Sequence, residues 1–178
     1  MTVKDINLQT DKAKSARAFQ KFAAPILQKL FSAKLIDVEN DSSKLAELLD
    51  RACGVDYLLR TREGVMGIAA RVTHNWQRNY HTFTLRKEKY EKPSEFQHLQ
   101  NALAVGGIIP TLFVQCYPKG NSATVCICQT KELLKQIAAG KAQVKNKCGV
   151  DFFSIDVEKV SGSKKISVTL PPQIKKFR

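Results

Sequence analysis

The sequence predicts an α/β protein of a single domain, with a central mixed β-sheet flanked by helices. Three observations carry that expectation. Segments with apolar residues at helical spacing alternate with short runs of branched and apolar residues bounded by Gly, Pro, Asn and Ser. A chain of 178 residues is long enough to bury one full core and has no need of a second domain. The clearest hairpin pattern lies over residues 54–72, where two strand-like runs are joined by Arg62-Glu63-Gly64, a turn with a residue tolerant of positive φ.

Taken in order, residues 1–10 lack periodicity and are read as a flexible arm, which leaves 11–178 as the domain. Asp11 is a suitable N-cap for a helix reaching about Ser32, with Phe19, Phe22, Ala23, Ile26 and Leu30 on one side. Pro25 should kink or break it, because proline lacks the N–H and clashes with the preceding turn. Lys12, Lys14, Arg17, Lys21 and Lys29 on this segment suit either a solvated face or an edge that meets phosphates. Residues 35–38 read as a short strand or extended linker. Asn40-Asp41-Ser42-Ser43 then caps a helix over about 43–53, which Gly54 terminates. In the hairpin, alternation puts Asp56, Leu58 and Arg60 on one face of the first strand and Val65, Gly67, Ala69 and Arg71 on one face of the second. A carboxylate and a cation can therefore converge across the pair.

A polar and aromatic loop follows, holding Trp76 and Arg78, then a third strand of the same sheet over 81–86 and a basic run, Arg86, Lys87, Lys89 and Lys92. Ser94 is the N-cap of a helix over about 94–105 that buries Phe96, Leu99 and Leu103. Residues 109–117 and 123–129 read as strands around the turn Pro118-Lys119-Gly120-Asn121, 131–140 as a helix, and 150–160 with 165–170 as a final hairpin.

Charge points to a partner. Lys and Arg number 29 against 16 Asp and Glu, a net charge of +13. Each cation placed on a phosphate releases a counterion, so a polyanionic partner is expected; a basic surface without such a role is the alternative. The apolar runs fall short of the roughly 18 residues of a membrane span, and the first residues lack the pattern of a secretory signal, so a cytoplasmic protein is expected. Five irregularly spaced cysteines fit reduced thiols. Cys126 and Cys128 share a strand face where a metal site can be imagined, yet buried small hydrophobes is the better reading. No P-loop, dinucleotide-binding or nucleophile-elbow motif is present.

Gly54-Val55-Asp56, the turn, and a strand ending in Ala69-Ala70-Arg71 resemble the core of the PD-(D/E)XK nuclease superfamily, in which an acid is followed by a carboxylate-x-Lys strand. Ala69 and Arg71 stand where the second acid and the lysine would be. The likeness follows element order from the first helix to the last predicted one. It implies a restriction-endonuclease-like fold and metal-dependent hydrolysis of DNA phosphodiesters. On this chain Asp56 would be a ligand for Mg2+ or Mn2+, with Asp50 or Glu47 from the preceding helix as a second and the carbonyl of Ile68 or Ala69 as a third. Arg71 would stabilise the developing charge, since arginine stays protonated and cannot easily act as a base. Arg78, Arg86, Lys87, Lys89, Lys92 and Trp76 would contact nucleic acid.

A second reading keeps the fold as a nucleic-acid-binding module that does not cleave, and a third is a protein-interaction adaptor. In a purely structural reading Asp56 pairs with Arg71 or Arg60. The expected partner is DNA, with RNA and a second copy of the chain as further candidates, and no membrane.

Overall fold

Alternation along the strands sorts most of the apolar side chains into two clusters, one on each face of a six-stranded sheet. The computed structural model describes residues 3–38, 43–44, 49, 53–74, 81–87, 94–147 and 149–171. In chain order these form α1 (Val3–Ala18), a π-helical turn (Phe19–Ala23), α2 (Ala24–Phe31), β1 (Lys34–Asp37), β2 (Tyr57–Arg60), β3 (Val65–Val72) and β4 (Thr82–Arg86). There follow α3 (Glu95–Ala104), β5 (Leu112–Lys119), β6 (Ser122–Gln129), α4 (Thr130–Ala138), β7 (Gln143–Lys147), β8 (Val150–Asp156), a 3-10 turn (Val157–Lys159) and β9 (Lys164–Thr169).

The sheet is mixed. β1, β2 and β3 form an antiparallel meander, β5 runs parallel to β3 after the crossover through α3, and β6 and β9 continue antiparallel. On one face Tyr57, Leu59, Ile68, Val114, Val125 and their neighbours pack against Phe19, Phe22 and Leu27 from the first helical segment. On the other face Phe113, Cys126 and Cys128 meet Leu99 of α3, Leu133 and Ile137 of α4, and Phe83, Leu85 and Ile155. Those last three belong to a second sheet of three strands, β4-β8-β7. The molecule is thus a single α/β domain with a mixed sheet between layers. Among the described residues no helix is long and apolar enough to cross a membrane.

Several elements depart from expectation. Helix α1 begins at Val3 and takes in residues read as an arm; neither Pro nor Gly interrupts 3–18, so the backbone continues although no apolar stripe announces it. The segment divides next to Pro25, as expected: the proline sits in the first turn of α2, where its missing N–H is tolerated, and the π turn before it closes with Ala24 N–H donating to the Phe19 carbonyl. β4 is not a third strand of the central sheet. The free edge of β3 is taken by β5, so β4 pairs with β8 and carries Arg86 and Lys87 into the second sheet. Nor do β8 and β9 form a hairpin, because the 3-10 turn lifts the chain from the second sheet back to the edge of β6. Leu103 is partly exposed at 38%, since α3 rests on the core mainly through Leu99 and Phe96. The helix expected over 43–53 lies largely outside the described residues.

Cys126 and Cys128 are buried in the core, as is Cys116, and all three are free thiols. Burial pushes Cys116 and Cys126 up to about 12 and Cys128 also upward, so these side chains behave as small hydrophobes.

Candidate functional site

Asp56 is fixed by its backbone before its side chain is considered. Gly54, at φ 64°, adopts the left-handed conformation that turns the chain out of the preceding segment. The Val55 side chain then lies against Gly67 so closely that a Cβ there would stand 3.0 Å from a Val55 methyl. Asp56 N–H donates to the Ile68 carbonyl at 2.9 Å, and its own carbonyl accepts from Val38 N–H at 3.1 Å. So held between β1 and β3, Asp56 turns its carboxylate onto the Ala70 amide, whose N–H donates to Oδ2 at 2.6 Å. The turn at the far end of the hairpin is tied by Thr61, whose Oγ1 accepts from the amides of Glu63 and Gly64, each at 3.1 Å.

Arg71 lies one residue beyond that amide, on the face of β3 covered by α3. Its guanidinium donates to the Glu95 carboxylate. Glu95 is held in place because it follows the N-cap of α3: Ser94 Oγ accepts from Gln97 N–H at 3.2 Å while Gln97 Oε1 accepts from Ser94 N–H at 2.8 Å. An acid there also complements the positive end of the helix. Arg86 approaches from β4, its backbone N–H 3.4 Å from Glu95 Oε2 and its Nε buried with no hydrogen-bond partner among the described residues. Burial pushes the Arg71 guanidinium below its ordinary range; the neighbouring Arg86 charge acts the same way and Asp56 opposes both. Arg71 and Arg86 with Glu95 and Asp56 make a charge-balanced cluster.

Of these residues Asp56 and Arg71 also line a cavity of about 320 Å³, with Asp11, Lys12, Ser15 and Ala70 among its other walls. The α1 wall is clamped to the sheet by Phe19, stacked on Tyr57 with ring centroids 4.5 Å apart. Hydrated Mg2+ takes hard oxygen ligands and is commonly held by one or two carboxylates, with water and substrate phosphate completing the shell. Asp56 and Asp11 supply that donor chemistry on one cavity. An ionised carboxylate has about four lone-pair sites, so the bond from Ala70 does not exhaust Asp56. No group of three or more His, Cys, Asp or Glu that could hold a metal occurs among the described residues.

Of the residues singled out from the sequence, Asp56 and Arg71 come together on the cavity wall. Arg60 is exposed at the opposite end of β2. Lys87 is half-buried, and its N–H donates to the Asp151 carbonyl of β8 at 2.8 Å. Glu47, Asp50, Trp76, Arg78, Lys89 and Lys92 lie outside the described residues. Two acids escape the sequence reading. Asp11 looks like an N-cap but sits inside α1, and Glu95 looks like a helix-opening acid; only tertiary placement gives either one a role.

A buried polar strap supports this cluster. Gln115, fully buried and beside Arg71 in the parallel register, accepts from Thr84 N–H at 3.3 Å and Thr84 Oγ1 at 3.2 Å, and its Nε2 donates to Thr73 Oγ1 at 2.7 Å. It ties the second sheet and the end of β3 to β5. Gln115→Leu should lower the urea midpoint with little change in m, corresponding to about 2 kcal/mol, because the Thr84 donors are stranded. An unchanged midpoint would show the strap to be dispensable.

Compared with known proteins, the chain matches no family model, no curated sequence and no solved structure.

Proposed function

We propose that this chain is a metal-dependent phosphodiesterase acting on DNA, with a restriction-endonuclease-like fold. The observation that carries the reading is the placement of Asp56: a strand-opening carboxylate, held on the Ala70 amide, lining one cavity with Arg71 and Asp11 on a chain of net charge +13. The order of elements supports the resemblance read from the sequence: a leading helix, a meander that carries the acid, a crossover helix and a strand parallel to β3.

Asp56 and Asp11 would hold Mg2+ or Mn2+, which would supply Lewis-acid chemistry at the phosphoryl group. The chain's own residues position the substrate around that group. Arg71, aimed by Glu95, presents a permanent cation to a phosphate oxygen as charge accumulates there. Asp56 is kept from rotating by the Ala70 amide, so it meets the reacting centre without reorganisation.

A second reading, a binding module that does not cleave, is favoured by Ala69 and Arg71 standing where an acid and a lysine are expected. Labelled duplex and single-stranded DNA incubated with purified protein, with and without Mg2+ or Mn2+, separates the two. Strand scission that requires the metal is expected; binding without scission under either metal selects the binding module.

A further inference from the structure

A second recess, of about 350 Å³, lies next to the candidate site along the same helix. Lys14, Arg17 and Lys21 line it from α1 and the π turn, with His74 from just beyond β3 and Pro118 from the end of β5 completing the wall. All three cations are exposed, and no acidic side chain lines the recess among the described residues. Lys21 lies over the Phe22 ring, Nζ 4.9 Å from its centroid, and Phe22 is itself buried, so this cation has a fixed base.

The two recesses share a boundary. Ser15 lines the Asp56 cavity, and its hydroxyl is 3.2 Å from Nε2 of His74, which lines the basic recess. His74 feels both sides: burial lowers its pKa first, Lys14 lowers it further, and Asp11 of the Asp56 cavity raises it. A chain of phosphates lying in one recess would therefore lead directly into the other.

We infer that the recess formed by Lys14, Arg17, Lys21 and His74 is the track for the phosphodiester backbone of one nucleic-acid strand, delivering it to the Asp56–Arg71 cavity. Spacing supports this. Lys14 to Lys21 spans about 10 Å at 1.5 Å per helical residue, and phosphates of one B-form strand advance about 3.4 Å each along the axis. Three cations are thus spread over the span of about four successive phosphates. The contact is with backbone, so it confers affinity and register without reading sequence. The inference rests on the nucleic-acid reading given above, and it moves the principal contacts from the basic run after β4 to the face of α1.

The test is the salt dependence of binding to a fluorescein-labelled DNA duplex, measured by anisotropy without divalent metal so that cleavage plays no part. The triple variant Lys14→Ala, Arg17→Ala, Lys21→Ala should weaken binding more than tenfold near 0.1 M salt. Its log-log salt slope should become shallower by about 2 to 3, since each phosphate contact contributes about 0.9. The control triple, Lys131→Ala, Lys135→Ala and Lys141→Ala, removes three exposed cations from α4 and its following turn, on the other face of the sheet. That control should leave the slope near the wild-type value. Equal losses in the two triples, or an α1 triple that binds like wild type, would overturn the track while leaving nucleic-acid binding intact. Failure of the wild type to bind at all would remove both readings. Far-ultraviolet circular dichroism of each variant checks that these surface changes leave the fold in place.

Discussion

Asp56→Asn is expected to abolish metal-dependent cleavage, by at least about a hundredfold, while leaving DNA binding equal or tighter. A metal ligand contributes several kcal/mol of charge stabilisation, and each 1.36 kcal/mol is tenfold in rate. Loss of a carboxylate beside bound phosphates also removes a repulsion. The substitution suits the site because asparagine retains a side-chain carbonyl that can accept from the Ala70 amide, the bond that spans 2.6 Å in the native chain. Stability should change little. Asp56→Ala provides the contrast: with no acceptor left, the Ala70 N–H is stranded and the protein should lose on the order of 1 to 3 kcal/mol. If both variants destabilise alike and neither alters a metal-dependent rise in melting temperature, Asp56 is a structural residue and the hydrolase reading falls. A melting temperature that rises with Mg2+ in the wild type and not in Asp56→Asn is the expected pattern. Asp11→Asn should then reduce the same rise, because Asp11 shares the cavity.

The hairpin that holds Asp56 is legible in the sequence because its two strands are local and alternate cleanly. Tyr57 and Leu59 pack on one face with Phe19, and Leu58 meets Gly67 across the pair on the other. Pairings between distant segments are not legible. β4 reads as an ordinary strand, but its partner β8 is far along the chain, and nothing local distinguishes a strand that continues the first sheet from one that starts another. β7, Gln-Val-Lys-Asn-Lys, gives no strand signal at all: as a polar edge strand it lacks an apolar stripe, and its lysines are a common feature of edges that resist further pairing. The same limit applies to the site. Asp56 and Arg71 can be placed on one hairpin face by counting residues, whereas Glu95 arrives through a crossover helix and Asp11 through a helix packed on the opposite face of the sheet. Pattern reads periodicity within an element; it does not read which elements meet.

Glu95→Gln should cost on the order of 2 kcal/mol, and most of that cost should vanish when Arg71 is also changed to Met. In the native chain Arg71 is surrounded by burial, by the Arg86 charge and by Asp56, and its guanidinium is bonded to Glu95. The substituted amide could still accept one hydrogen bond, but the compensating charge would be gone, leaving two arginines beside one another with only Asp56 to offset them. Breaking one side of a buried ion pair typically costs about 3 to 5 kcal/mol. The smaller figure follows from exposure: the Arg71 and Glu95 side chains remain 32% and 23% accessible, so water screens part of the loss. Arg71→Met alone should cost less than Glu95→Gln, because Glu95 keeps the Arg86 amide and its place in the first turn of α3, and removal of Arg71 relieves Arg86. A double-mutant cycle read from urea unfolding isolates the pairwise part. Coupling between Arg71 and Glu95 should exceed coupling between Arg71 and Asp56, measured in a parallel cycle with Asp56→Asn. The reverse order would make Asp56 the structural partner of Arg71 and take away its role at the reacting centre. Coupling below about 0.5 kcal/mol in both cycles, at the limit expected for independent sites, would mean that Arg71 is held by packing alone. In that case Glu95→Gln should leave DNA cleavage untouched, whereas a guanidinium aimed by Glu95 should lose rate when its carboxylate is neutralised.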